Sequence, residues 1–206
     1  MNRSLSLKFY LGIVFLCFIS YFWIDPWVVN QIGERTLFSI WEKISLLGSF
    51  EISYLILACY LVIFFILRYF FTFTIPPALV LMILYSYLAT VASIQFLKTN
   101  FPRYRPALLQ EGFYGFDLHS SLTENTDSFP SLHTGIFVAL CIPLVFKYNR
   151  LMYIFIPLIL LVGLSRILLN VHYMSDVVFS IGLSTGINAV LYHFMKKDLQ
   201  LRKLSS

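Results

Sequence analysis

Six predominantly apolar runs alternate with polar segments along the chain: about Phe9 to Trp27, Ile52 to Phe73, Ile75 to Leu97, Ser131 to Phe146, Leu151 to Leu169 and Met174 to Met195. A helix needs about 20 mostly apolar residues to cross a membrane, so each run predicts a spanning helix. The fourth is short and begins inside a polar motif. The pattern predicts an all-α fold: a six-helix membrane bundle, one domain over residues 1–206, with short interfacial helices. Arg3 and Lys8 precede the first run as in a signal peptide, but it ends in Trp23-Ile24-Asp25-Pro26-Trp27 instead of small residues. It is read as an uncleaved span. In segment 28–51, Ile32, Leu37, Ile40, Trp41, Ile44 and Leu47 have roughly helical spacing. Such a stretch is either a lid that guides lipid or an interfacial amphipathic helix that only fills space, and we read it as the latter.

Composition removes the soluble alternative. Of the 206 residues 59% are hydrophobic and only 12% charged, and a soluble globule this small would expose that apolar surface and aggregate. Disorder, which needs low hydrophobicity, is excluded too. The net charge of +5 forms no basic patch or stripe, which argues against nucleic acid as a partner. Cys17, Cys59 and Cys141 each lie inside an apolar run with no CxxC, so neither a zinc site nor a disulfide framework is readable. With six spans both termini share one side. Arg3, Lys8, Arg68, Lys147, Arg150, Lys196, Lys197, Arg202 and Lys203 fall there, against Arg35, Lys43, Lys98, Arg103, Arg105 and Arg166 on the other. By the positive-inside rule the termini are cytoplasmic and segment 98–130 lies outside.

Charged groups at membrane depth or at span ends tend to be functional. They concentrate in three places: Lys98 to Pro106 after the third run, Ser128 to Thr134 at the head of the fourth, and Ser165 to Asp176 between the fifth and sixth. The topology brings all three to one membrane face. Lys98, Arg105 and Arg166 are three cations with no carboxylate spaced to neutralise them all, and guanidinium forks match phosphate oxygens. Pro130-Ser131 before an apolar run reads as a helix start whose free N–H groups, with the Ser131 hydroxyl, add anion donors. His172 and Asp176 are four apart and share a face if that segment is helical. A carboxylate beside a histidine fixes its tautomer and raises its basicity. His133 is a second, separate histidine, so one can attack phosphorus while the other protonates the leaving group, without metal. Singly, Lys98 and Arg166 read as snorkelling side chains, Pro130-Ser131 as a cap and the His–Asp pair as a structural hydrogen bond. Together they read as a phosphate site.

At these residues the chain resembles the type 2 phosphatidic acid phosphatases, the PAP2 or lipid phosphate phosphatase superfamily. Lys98-x6-Arg105-Pro106, Pro130-Ser131-Leu132-His133 and Ser165-Arg166-x5-His172-x3-Asp176 follow the family pattern in order and spacing. Leu132 departs from it, standing where glycine is usual. The resemblance implies His172 as a nucleophile that forms a phosphohistidine, Asp176 as the group that orients it, and His133 as the proton donor to the leaving oxygen and later the activator of water. It implies Lys98, Arg105, Ser131 and Arg166 as phosphate ligands, with backbone donors from Leu132 and His133. No cofactor and no metal are expected. Leu132 is expected to form a wall of the pocket against bulky headgroups. Arg103 and His119 are candidate substrate contacts.

The expected substrate is a phosphorylated membrane lipid at an outward-facing site, in a bacterial inner membrane: undecaprenyl diphosphate, phosphatidylglycerophosphate or a lipid A phosphate. A lipid-to-lipid phosphotransferase would use the same site. An anion transporter or channel needs polar residues through the spans, and the runs are nearly free of charge.

Overall fold

A computed structural model describes residues 3–32, 38–70, 77–118, 122–123 and 125–200. Apart from short turns and two isolated bridges, from Arg103 to Phe116 and to Asp127, the described residues form helices and connecting loops: α1 (Arg3–Ile19), α2 (Asp25–Ile32), α3 (Phe38–Leu46), α4 (Phe50–Phe70), α5 (Pro77–Asn100), α6 (Leu132–Lys147), α7 (Met152–Leu168) and α8 (Met174–Gln200). The first predicted span is longer than its apolar pattern, because α1 continues through a π-helical turn at Ser20–Ile24 into α2. Proline lacks an N–H and its ring clashes with the carbonyl four residues back. The wider turn, in which the Asp25 N–H bonds the Ser20 carbonyl, accommodates Pro26 without ending the rod.

Among the described residues four helices are long and apolar enough to cross a membrane: Tyr10–Ile32, Pro77–Asn100, Asn149–Leu168 and Met174–Leu199. A fifth crossing is a pair, Ser39–Leu46 and Phe50–Ile66, bent by 40°. The protein is an integral membrane helical bundle, with four or five candidate spans plus one shorter apolar helix among the described residues. That helix is α6, whose 16 residues reach about 24 Å at 1.5 Å per residue. It can be short because it is the axis of the bundle. It packs against α5, α7 and α8, and every residue from Thr134 to Pro143 is buried. Gly135 permits the approach of α5 and α8, since a Cβ there would lie 2.3 Å from Ile94 Cδ1 and 3.3 Å from Ser184 Oγ. Outward faces of α1, α4 and α7 carry exposed Phe15, Phe65 and Tyr153, as lipid-facing helices require.

Segment 28–51 does more than fill space on the surface. α3 packs along α7, and the turn after it presses into the bundle. A Cβ on Gly48 would lie 2.3 Å from the His133 carbonyl oxygen and 2.8 Å from its carbon. Only glycine brings this backbone against that of a predicted catalytic residue. The helical spacing identified the helix and the Ile44 and Leu47 side chains that pack against the core, but the close approach at Gly48 carries no hydrophobic signal.

Candidate functional site

The three motif segments converge at one end of the bundle. The chain after α5 runs beside residues 125–128: the Arg103 N–H bonds the Thr126 carbonyl at 2.7 Å, the Ser128 N–H the Arg103 carbonyl at 3.1 Å, and the Arg105 N–H the Asn125 carbonyl at 2.9 Å. This short ladder sets the first motif beside the second. Ser131 is the N-cap of α6, and its N–H points to the Asp176 carbonyl at 3.4 Å, which joins the second motif to the third. Asn170 ends α7 with φ 57°, a left-handed conformation asparagine tolerates. The Val171 and His172 N–H groups then fold back onto the Arg166 carbonyl, each at 3.3 Å.

On the open side of this junction lie Lys98, Arg105 and Arg166. The Arg105 Nε–H donates to Asp127 Oδ1 at 2.6 Å. Lys98 Nζ donates to the Asp127 backbone carbonyl and lies 3.8 Å from its Oδ2. Arg166 donates to the Ser45 hydroxyl of α3. No carboxylate was expected to neutralise all three cations; Asp127 serves two of them, because the ladder at 103–105 turns it toward them, and Arg166 pairs with Ser45 instead. Ser131 is fully buried and its hydroxyl pairs with that of Thr134 at 3.0 Å, so its backbone position at the head of α6 is the clearer contribution. The N–H groups of the first helical turn, from Leu132 on, have no acceptor within the helix. The Leu132 side chain packs against the apolar cluster that contains Met82, Tyr87 and Ile136. That contact places part of the side chain in the core.

His172 is almost fully buried. Its Nδ1 sits 2.6 Å from the Ser128 carbonyl oxygen, an acceptor only, so Nδ1 carries the proton and the lone pair is on Nε2. Burial first, then the positive fields of Lys98, Arg166 and Arg105, hold its pKa well below the ordinary 6.5. The imidazole is neutral. The direct His172–Asp176 bond suggested by the spacing does not form. The two are 3.9 Å apart, and Ser128 stands between them, its carbonyl on His172 and its hydroxyl donating to Asp176 Oδ2 at 2.6 Å. Asp176 also accepts the Tyr173 N–H at 2.9 Å, closing the first turn of α8 from the third helical position.

Arg103 is not a substrate contact. It is 1% exposed and points away from the three cations. It donates to Asp176 Oδ1 at 2.5 Å, to the Ser175 hydroxyl at 2.7 Å and to Asp25 Oδ2 at 2.9 Å, with Tyr173 and Tyr21 rings 4.2 and 4.9 Å from its guanidinium carbon. Burial works against its charge, but Asp176 and Asp25 outweigh it and raise its pKa. Asp25 also accepts the Ser175 N–H at 3.0 Å, so α2 caps α8. His119 lies outside the described residues. Sequence reasoning did not assign roles to Asp25, Ser45, Gly48, Asp127 or Ser128. Of these, only Asp25, an acid at the end of an apolar run, carried a signal. No cluster of three or more His, Cys, Asp or Glu side chains suited to a metal ion occurs among the described residues.

The family model of the PAP2 superfamily matches residues 78–200. The chain belongs to the PAP2 superfamily. The match takes in all three motifs, and this PAP2 protein is a membrane phosphatase. Among solved structures it is similar to the first transmembrane PAP2-type phosphatidylglycerolphosphate phosphatase from Bacillus subtilis, with TM-score 0.60 and 18% identity over 93% of this chain and 96% of that one. At that identity the likeness speaks for the shared fold. No curated protein matches at a significant level.

Proposed function

We propose that this PAP2 protein hydrolyses a lipid phosphate through a phosphohistidine on His172. The observation that carries the reading is the bond between His172 Nδ1 and the Ser128 carbonyl. It leaves a neutral imidazole with its Nε2 lone pair among Lys98, Arg105 and Arg166. Nε2 attacks phosphorus, the bond to the lipid oxygen breaks, and His133 protonates that oxygen as it leaves. Water then attacks phosphorus as His133 takes its proton, the P–N bond breaks, and phosphate departs with His172 restored. The cations and the N–H groups at the head of α6 stabilise the charge on the phosphoryl oxygens, the main requirement of phosphoryl transfer. Asp176 acts on His172 through Ser128.

A lipid fits because the site sits at the end of membrane-spanning helices. Leu97 and Phe101, which bracket Lys98 in sequence, line an apolar groove of about 400 Å³ with Phe116, Leu118, Phe129 and Phe179, able to take a tail. The single domain spans residues 1–206, with termini cytoplasmic and the site facing outward from a bacterial inner membrane. The test is incubation of the purified protein with phosphatidylglycerophosphate, undecaprenyl diphosphate, phosphatidic acid and a lipid A phosphate. Release of free phosphate, and acid-labile label that maps to His172, support the proposal. A phosphorylated second lipid identifies a phosphotransferase instead, and label on Ser131 or His133 overturns the assigned roles. Sidedness is tested by Leu122→Cys in a Cys-free background, which should react with an impermeant maleimide in intact spheroplasts. Labelling only after lysis reverses the orientation.

A further inference from the structure

We propose that Asp127 is a positioning residue that holds Lys98 and Arg105 in register and sets the net charge of the phosphate site, matching it to a terminal phosphomonoester in preference to a diphosphate. The inference rests on the phosphatase reading for its lipid arm only.

Two cations that must bind one phosphate repel each other when it is away, and need an internal counter-charge to stay in register. Asp127 supplies it. Its carboxylate takes Arg105 Nε–H at 2.6 Å and lies 3.8 Å from Lys98 Nζ, which its own backbone carbonyl also accepts. The ladder on either side of it, Thr126 to Arg103 and Ser128 to Arg103, fixes where the carboxylate stands. Arg105 is held through its Nε–H alone. The terminal NH1 and NH2 groups of Arg105 have no partner among the described residues and can fork onto a phosphate. The Asp127 side chain keeps 28% of its surface, so an incoming anion meets the carboxylate and the two cations together. Its field and that of Arg105 both reach Arg166.

The charge sum follows from these neighbours. Lys98, Arg105 and Arg166 with Asp127 leave a formal surplus of two positive charges. A phosphomonoester at neutral pH carries about −1.5 to −2, which balances that surplus, while a diphosphate brings more negative charge than the surplus offsets and pushes against Asp127. Asp127 thus favours a monoester substrate and speeds release of phosphate, since the departing anion is replaced by a tethered one.

The test uses the whole detergent-solubilised chain with inorganic phosphate and pyrophosphate as probes, read by binding and by competition with lipid hydrolysis. Asp127→Asn and Asp127→Ser should each bind phosphate about tenfold more tightly, and pyrophosphate more tightly still. Both kcat and KM for a lipid monoester should fall, and the kcat/KM ratio should move toward a diphosphate lipid. Asp127→Glu, which keeps the charge, should stay within about threefold of wild type for both anions. If one neutral variant does not fold, the other decides. Unchanged or weaker anion binding in the folded neutral variants overturns the charge-setting role. If no lipid is hydrolysed but the anion affinities shift as stated, the phosphatase reading fails and the role of Asp127 stands.

Discussion

Among the described residues arginine meets aspartate in two places, on opposite sides of the same junction, and they carry opposite balances. Behind the site, one guanidinium, Arg103, lies between the carboxylates of Asp25 and Asp176, all at most 1% exposed. In front, Lys98, Arg105 and Arg166 gather around one carboxylate, Asp127, in a cluster that remains partly open. The rear cluster has every charge bonded within it and buried, so it serves as a fixed scaffold that holds Asp176, and through Ser128 His172. The front cluster keeps a surplus of positive charge and free donors, which is the condition for binding an anion. The same residue types become scaffold or site according to which sign is in excess and whether water reaches them.

Substitutions should separate the two clusters. Arg103→Ala leaves two buried carboxylates unpaired, a loss of about 3–5 kcal/mol. Little folded protein should be recovered in detergent, and Arg103→Lys should rescue poorly because one ammonium cannot span both acids. Recovery of wild-type thermal stability in Arg103→Ala would remove the distinction. Arg105→Ala should do the reverse: Tm close to wild type, kcat/KM down by about 10²–10³, the typical cost of one transition-state donor. Gly48→Ala forces a methyl against the His133 carbonyl, where it would sit 2.3 Å away. It should lower stability by about 1–3 kcal/mol and reduce kcat more than it raises KM, since the strain falls on the acid and not on the phosphate ligands.

Leu132→Gly tests where the departure from the family pattern acts. With its side chain in the apolar cluster, the substitution should cost ~1–2 kcal/mol of stability. The kcat/KM ratio between phosphatidic acid and a lipid A precursor should change by less than about threefold; a larger shift would return Leu132 to the pocket wall. The smallest effect is on pH dependence. The His172 pKa is below 6.5 in the folded state and ordinary in the unfolded chain, so between those values the unfolded state binds more protons. Stability present above pH ~6.5 is then lost as pH falls, by roughly 1.4 kcal/mol per unit at most. Histidine ¹⁵N NMR should find the His172 midpoint well under 6.5, and Arg105→Gln should raise it, since one opposing cation is gone.

The helices and the motif residues were legible because both are periodic or spaced signals: apolar runs, and fixed intervals among Lys98, Arg105, His133, Arg166, His172 and Asp176. Pairing was not. Arg103 and Arg105 are two apart and look equivalent in sequence, yet one turns inward to Asp25 and Asp176 and the other outward to Asp127. That choice is made by the ladder with residues 125–128 and by α2, neither of which has a sequence pattern. The 172–176 interval placed histidine and aspartate close together, but could not show that Ser128 would enter between them. Proline at 26 signalled a break, and a π-helical turn absorbed it. Gly48 and Ser45 lay in a segment read as filler because close backbone approach and a single hydroxyl leave no trace in hydrophobic spacing.

The joining of α2 to α8 has a consequence for how the chain is made. Asp25 emerges early in synthesis and enters the membrane with the first hydrophobic segment. Arg103, which satisfies its carboxylate, follows 78 residues later, and Ser175 follows 150 residues later. Until then the first segment carries an acid with no lasting partner and cannot settle. A helix made 150 residues later is therefore the one that locks α2, and a nascent chain arrested before Ser175 should be an easy target for membrane quality-control proteases.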